Sequence, residues 1–342
     1  MTFAARPPRL ALVLRRARPL VLPATAAAAL AASTLAAGGT AAVGAGRTVP
    51  GTSCPVFPST SVWHADVSGL PVHDRSAQWL AHMSTDRDLH PDFGPSYGEQ
   101  PVPYGIPVTV VGGDHPKVRV RFDYADESDR VRYPLGRDTR IEGGRGSDGD
   151  RHSIVVDKST CKLYETWATR RTSAGRWRAG SGAVWRLTSN ALRPEGWTSA
   201  DAAGLPILPG LLRLGEVRNG RVDHAIRFTT DVTDRSHVWP ARHDAGSVSN
   251  PAYPPMGAWF RLKATYPTSG LRADTRVVLA AMKRHGLVLA DNGSPWYFQG
   301  TASAKWPTGL LDELKSIPAS AFEAVDTSSL QVSAGSGAAG SG

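Results

Sequence analysis

The sequence predicts a mainly β fold, an antiparallel β-sandwich or jelly roll with a few peripheral helices. Short runs alternate apolar and polar side chains. In residues 118–124, Val118, Val120, Phe122 and Tyr124 interleave with Arg119, Arg121 and Asp123. Gly and Pro number 35 and 26 in 342 residues, which favours many turns over long helices. No strand–helix–strand series is visible, so an all-parallel sheet is not expected.

Residues 1–46 carry five arginines (Arg6, Arg9, Arg15, Arg16 and Arg18) and no acid, then an Ala-rich apolar run and small residues near Ala42 and Ala45. This pattern reads as a secretory signal peptide, with a membrane anchor as the rival reading weakened by Pro23. The formal charge of +9 falls to +4 without those five arginines. The basic balance therefore belongs largely to the export segment, and no nucleic-acid partner is expected. After processing, no stable membrane insertion is expected, and the secreted product is read as a monomer. The composition, 41% hydrophobic and 20% charged, excludes wholesale disorder and a polytopic membrane protein.

Residues 47–105, rich in Pro, His and Ser, read as an arm wrapping the domain, with a short helix at 76–83. Residues 106–330 form the β-sandwich domain. After the strand at 118–124, residues 152–157 and 161–167 flank Lys158-Ser159-Thr160 as a hairpin. A strand is expected at 182–187. A second hairpin is expected about Asn219-Gly220, joining 216–217 to 221–229. Residues 259–266 alternate again. Residues 275–285 carry Val278, Leu279 and Met282 on one side and end at Gly286, which marks a helix and its C-terminal cap. A strand at 287–290, a short helix at 310–314 and a last strand at 322–325 follow. The Gly/Ala/Ser-rich tail, 331–342, is expected to be disordered.

The two cysteines, Cys54 and Cys161, are expected to form one disulfide, with two buried thiols as the alternative. Two cysteines without a CxxC pair do not make a structural zinc site. No cofactor is expected. No nucleophile elbow, phosphate-binding loop, dinucleotide fingerprint or HExxH motif occurs.

Four polar clusters are candidates for chemistry. Glu142 and Asp150-Arg151-His152 gather at the mouth of a strand, where an acid or His serves as proton donor or acceptor and Arg151 binds an anion. His224 and Arg227 sit on opposite faces of the strand expected at 221–229. Trp239 precedes Pro240, Arg242 and His243. Asp291 closes an apolar strand ahead of Asn292-Gly293 and Trp296. Glu142, Asp150, Arg151, His152, His224, Arg242, His243 and Asp291 are the catalytic candidates. Arg227, Trp239 and Trp296 are the substrate-binding ones, with Trp63 also a candidate exposed face. No metal set is assigned, because the spacing of His152, His224 and His243 matches no zinc pattern.

The motifs His90-Pro91-Asp92-Phe93-Gly94, Gly149-Asp150-Arg151-His152, residues 198–206 (TSADAAGLP), Pro240-Ala241-Arg242-His243 and Ala290-Asp291-Asn292-Gly293 resemble a family of uncharacterised secreted proteins of soil bacteria and fungi. The resemblance implies secretion and a single domain, and it carries no activity.

Ten tryptophans in an exported β-rich chain suggest stacking on sugar rings. The functional expectation is a secreted enzyme acting on an extracellular polysaccharide, a glycoside hydrolase in preference to a polysaccharide lyase. The alternative is a non-catalytic secreted carbohydrate- or cell-wall-binding protein. A glycosidase needs two carboxyl groups flanking the bond, whereas a lyase needs a base and a cation facing a uronate.

Overall fold

The computed structural model describes residues 47–96, 102–144 and 146–340. The export segment read from the sequence lies outside the described residues. Strands in chain order are β1 (His90–Asp92), β2 (Val108–Val111), β3 (Val118–Phe122), β4 (Arg132–Tyr133), β5 (Ser153–Asp157), β6 (Lys162–Thr166) and β7 (Arg170–Arg171). They continue with β8 (Trp177–Ala179), β9 (Gly182–Arg186), β10 (Ile226–Thr230), β11 (Trp259–Leu262), β12 (Leu287–Asn292), β13 (Tyr297–Gln299) and β14 (Phe322–Val325). The α-helices are α1 (Ser76–Ala81), α2 (Leu214–Arg218), α3 (Ala273–Arg284) and α4 (Thr308–Leu314).

The strands form three sheets, ordered β1-β13-β10-β12-β11-β14, β2-β5-β6-β9 and β4-β3-β8-β7. The chain is mainly β, as expected, but the sheets are mixed. The pairs β1–β13, β10–β12, β2–β5 and β3–β8 are parallel. Local alternation specifies which face of a strand is apolar. It says nothing about the direction of a partner far away in sequence.

The second sheet is buried on both faces. Ile154, Val156 and Leu163 pack with Ile207, Leu208 and Leu211 on one side, and Val155 and Tyr164 pack with Phe122, Tyr133 and Trp177 of the third sheet on the other. That is why all five residues of β5 are buried. The disulfide Cys54–Cys161 joins residues 107 apart and seals the first of these layers. The third sheet keeps its polar face outward, as the alternation in β3 predicts. The six-stranded sheet packs its core face, with Phe228, Leu289 and Phe298, into the largest cluster, which α1, α3 and α4 also enter.

Three local expectations are corrected. Asn219-Gly220 does not turn a hairpin. It ends α2, with Gly220 at φ 78° and its N–H bonded to Val217 O, because a left-handed glycine serves a helix end as well as a strand turn. The arm at 47–105 is more than a wrapping: its β1 pairs with β13 as an edge strand of the largest sheet. The tail at 331–340 is not loose. Gly337 accepts from Val62 N–H and donates to Asn190 O, and Ala339 N–H reaches Thr60 O. Backbone bonds of this kind need no large side chains, so composition alone does not reveal them.

Candidate functional site

An open cleft of about 1350 Å³ lies on the described surface. Its floor is the outer face of the six-stranded sheet. β1 contributes His90 and Asp92, β13 contributes Tyr297 and Gln299, β10 contributes Arg227 and Thr229, and β12 contributes Asp291. The registers Asp92↔Gln299 and Phe228↔Phe298 bring these residues side by side.

A β-bulge places Asp291. β10 and β12 run in step through Phe228↔Leu289, then Thr229 pairs with Asp291, leaving Ala290 as the extra residue. An unbroken register would set Asp291 beside Thr230, on the core face. The inserted residue carries it to the face of Arg227 and Thr229, a re-aiming that bulges produce at sites.

The opposite wall is the loop before β5. Arg151 takes φ 53°, uncommon for a residue with a Cβ. Asp150 and His152 both line the cleft, while Arg151 between them does not. The buried Arg151 guanidinium instead donates to the carbonyls of Thr169, Gly144 and Ser147, fastening the loop that forms the rim. The expected anion-binding role of Arg151 is corrected to loop positioning.

The charged groups form one network. Arg227 donates from Nε and Nη2 to both oxygens of Asp201, at 2.9 and 2.6 Å, and lies 3.8 Å from Asp291. Both members of the Arg227–Asp201 pair are buried, with side chains 3% and 0% exposed. His152 Nδ1 sits 2.6 Å from Glu142 Oε2, whose second contact is the His152 N–H. Tyr104 and Gln299 hydrogen-bond the Asp92 carboxylate. Two buried atoms, His152 Nε2 and Gln299 Oε1, have no hydrogen-bond partner among the described residues, although both side chains line the cleft. A buried polar atom without a partner beside a cavity is a place for a bridging water.

These contacts push two carboxyl groups in opposite directions. Burial raises Asp291, the Asp201 charge raises it further, and Arg227 and His152 only partly offset this, leaving it at about 7. Burial also works against ionising Glu142, but the His152 charge and hydrogen bonds outweigh it and hold that carboxyl below its ordinary range. For His152, burial opposes protonation, while Glu142 raises it more, to about 9. Asp92 is raised by burial against the lowering effect of Tyr104 and Gln299.

Of the sequence candidates, Glu142, Asp150, His152, Arg227 and Asp291 share this cleft. The others lie elsewhere. His224 is buried between Ala225 O and Glu216. It lies two residues before Ile226 on the core side of β10, whereas Arg227 faces outward. Arg242 bonds Arg193 O, Ala334 O and Glu195, and His243 bonds Ala202 O. Both follow the Pro240 turn, and their own backbone N–H groups donate to Ala203 O. They fasten loops.

No tryptophan lines the cleft. Trp296 is 0% exposed, stacked on Phe228, with its N–H on Met83 O, and Trp63 is buried in the main core. Trp239 is half-buried and donates to Ser336 O. Sugar stacking by Trp296 and Trp63 is therefore corrected: burying an indole yields more free energy than exposing it. The flat face that the cleft does offer is Tyr297, stacked on His90 at 4.0 Å and 11°. Asp92, Tyr104, Tyr297 and Gln299 were missed by sequence reasoning. The signals were Asp92 in the His90–Gly94 motif, within a segment read as an arm, and Tyr297 beside Trp296 after the Asp291 cluster.

Among the described residues, no group of three or more His, Cys, Asp or Glu is arranged to hold a metal ion, and no helix is long and apolar enough to cross a membrane. No protein-family profile, curated protein or solved structure matches the chain.

Proposed function

We propose that this protein is a secreted glycoside hydrolase acting on an extracellular polysaccharide, with Asp291 as general acid and Glu142 as the ionised partner carboxylate. The observation that carries the reading is the pair of carboxyl groups on one cleft whose surroundings drive them apart, Asp291 upward and Glu142 downward. Such divergence is how two like groups acquire acid and base roles at neutral pH. Asp291 delivers its proton to the glycosidic oxygen as the C–O bond breaks, and Glu142 stabilises or attacks the anomeric carbon, or activates the incoming water. His152 keeps Glu142 ionised. Tyr297 supplies a ring face, and Gln299 and the Asp92–Tyr104 pair supply polar contacts. The cystine and the export-type N-terminus support a secreted product.

A lyase reading is weaker on one observation. The imidazole beside Glu142 is held protonated to about 9, so it donates hydrogen bonds near neutrality and does not remove a proton. The test is a panel of plant, fungal and bacterial wall glycans, scored together for new reducing ends and for the absorbance of unsaturated products. Reducing ends that vanish in Asp291→Asn and Glu142→Gln support hydrolysis. Unsaturated products, or turnover unchanged in both variants, refute it.

A further inference from the structure

The outer face of the third sheet carries a row of arginines that the cleft does not use. Cross-strand registers align Arg132 with Arg119, Arg121 with Arg178, and Arg178 with Arg170. Arg119 and Arg121 share one face of β3 because strand side chains alternate. All five are exposed, while Phe122, Tyr133, Trp177 and Ala179 face the core. Like charges directly opposite one another destabilise a sheet. Among the described residues, the row has one acidic partner, Asp123, 3.3 Å from Arg178 and exposed like it.

Edge protection accounts for charge on β4 and β7, which are edge strands. It does not account for Arg119, Arg121 and Arg178, which stand on the two interior strands. Solubility would be served by mixed signs and by Lys. A row built only of Arg offers planar forks that match carboxylate and sulfate oxygens.

We propose that this face is an anchoring surface for a polyanionic polysaccharide bearing carboxylate or sulfate groups. The cleft is not that polymer's seat, because six acidic side chains line it against His152, Arg227 and Lys315. A polyanion is drawn to the sheet and repelled from the cleft. Two residues beyond β3, Tyr124 is 55% exposed, with the Trp167 ring 6.3 Å away. Only the choice of a glycan leans on the proposed function; the surface acts without the catalytic groups.

The experiment measures binding of the secreted protein to immobilised polygalacturonate and dextran sulfate, with neutral dextran as control. Anionic vesicles of phosphatidylcholine and phosphatidylserine, and duplex DNA, serve as competitors. The polyanionic glycans should bind at low ionic strength and release as salt rises. The triple variant R119Q/R121Q/R178Q should bind about tenfold more weakly, a loss of about 1.4 kcal/mol. R119K/R121K/R178K should recover only part of it, because an ammonium keeps the charge without the planar fork, and single Arg121→Glu provides a further probe if the triple variant misfolds. Asp291→Asn should bind like the parent, which separates this surface from the cleft. Absence of glycan binding, equal binding by folded Gln and Glu variants, or tighter binding to vesicles or DNA overturns the proposal.

Discussion

Asp201→Asn tests the charge network at its centre. The substitution keeps volume and one acceptor but removes the charge that holds Arg227, in a pair with side chains 0% and 3% exposed. Removing one partner of a buried pair costs about 3–5 kcal/mol, because the remaining ion is left uncompensated. Asn still accepts one bond and Asp291 lies 3.8 Å from Arg227, so the lower end, about 3 kcal/mol, applies. At slightly under ~2 °C per kcal/mol for a chain of this size, Tm falls by roughly 5 °C. The same change has an electrostatic signature that simple destabilisation lacks. Asp201 is one of the groups raising Asp291, and Arg227 opposes it. Without Asp201, Arg227 acts on Asp291 alone, and the Asp291 pKa moves down from about 7. Carboxyl NMR titration of parent and variant reads this without a substrate. Once a glycan is identified, the basic limb of its pH–rate profile moves acidward, because that limb follows loss of the acid's proton. An unmoved or raised Asp291 titration in a folded Asp201→Asn protein refutes the network.

Three further outcomes are expected. Asp291→Asn abolishes turnover, and it stabilises the fold at pH 8 by roughly 1–3 kcal/mol while changing little at pH 4. The sign follows because a carboxyl raised from 3.8 to about 7 binds its proton more tightly when folded, so stability is lost as pH climbs between those values; equal denaturation midpoints at both pH values refute it. His152→Gln and Glu142→Gln each remove a contribution of about 3 kcal/mol. The His part is complete below 6.5 and lost as pH rises through about 9, and the Glu part is lost as pH falls below 4.5; urea midpoints that fall equally at pH 5.5 and pH 10 count against the ion pair. Cys54→Ser with Cys161→Ser lowers stability by about 2–4 kcal/mol through the 107-residue loop, and an unchanged Tm on reduction excludes that contribution.

The chain by itself determined the apolar faces, the hairpin closing at residues 158–160, the α3 stop at Gly286, the cystine, and the acids and His on either side of Arg151. Each is written in local spacing or in residue chemistry, which a short window of sequence contains. Only the tertiary structure decided the parallel pairings, the entry of β1 into the largest sheet, and the Ala290 bulge that moves Asp291 from the core face to the cleft. It also decided that Trp296 is core and that His224, Arg242 and His243 fasten loops. Those outcomes depend on which distant strand arrives alongside and on how a backbone offset of one residue reverses the facing of a side chain, and neither is encoded within any one segment.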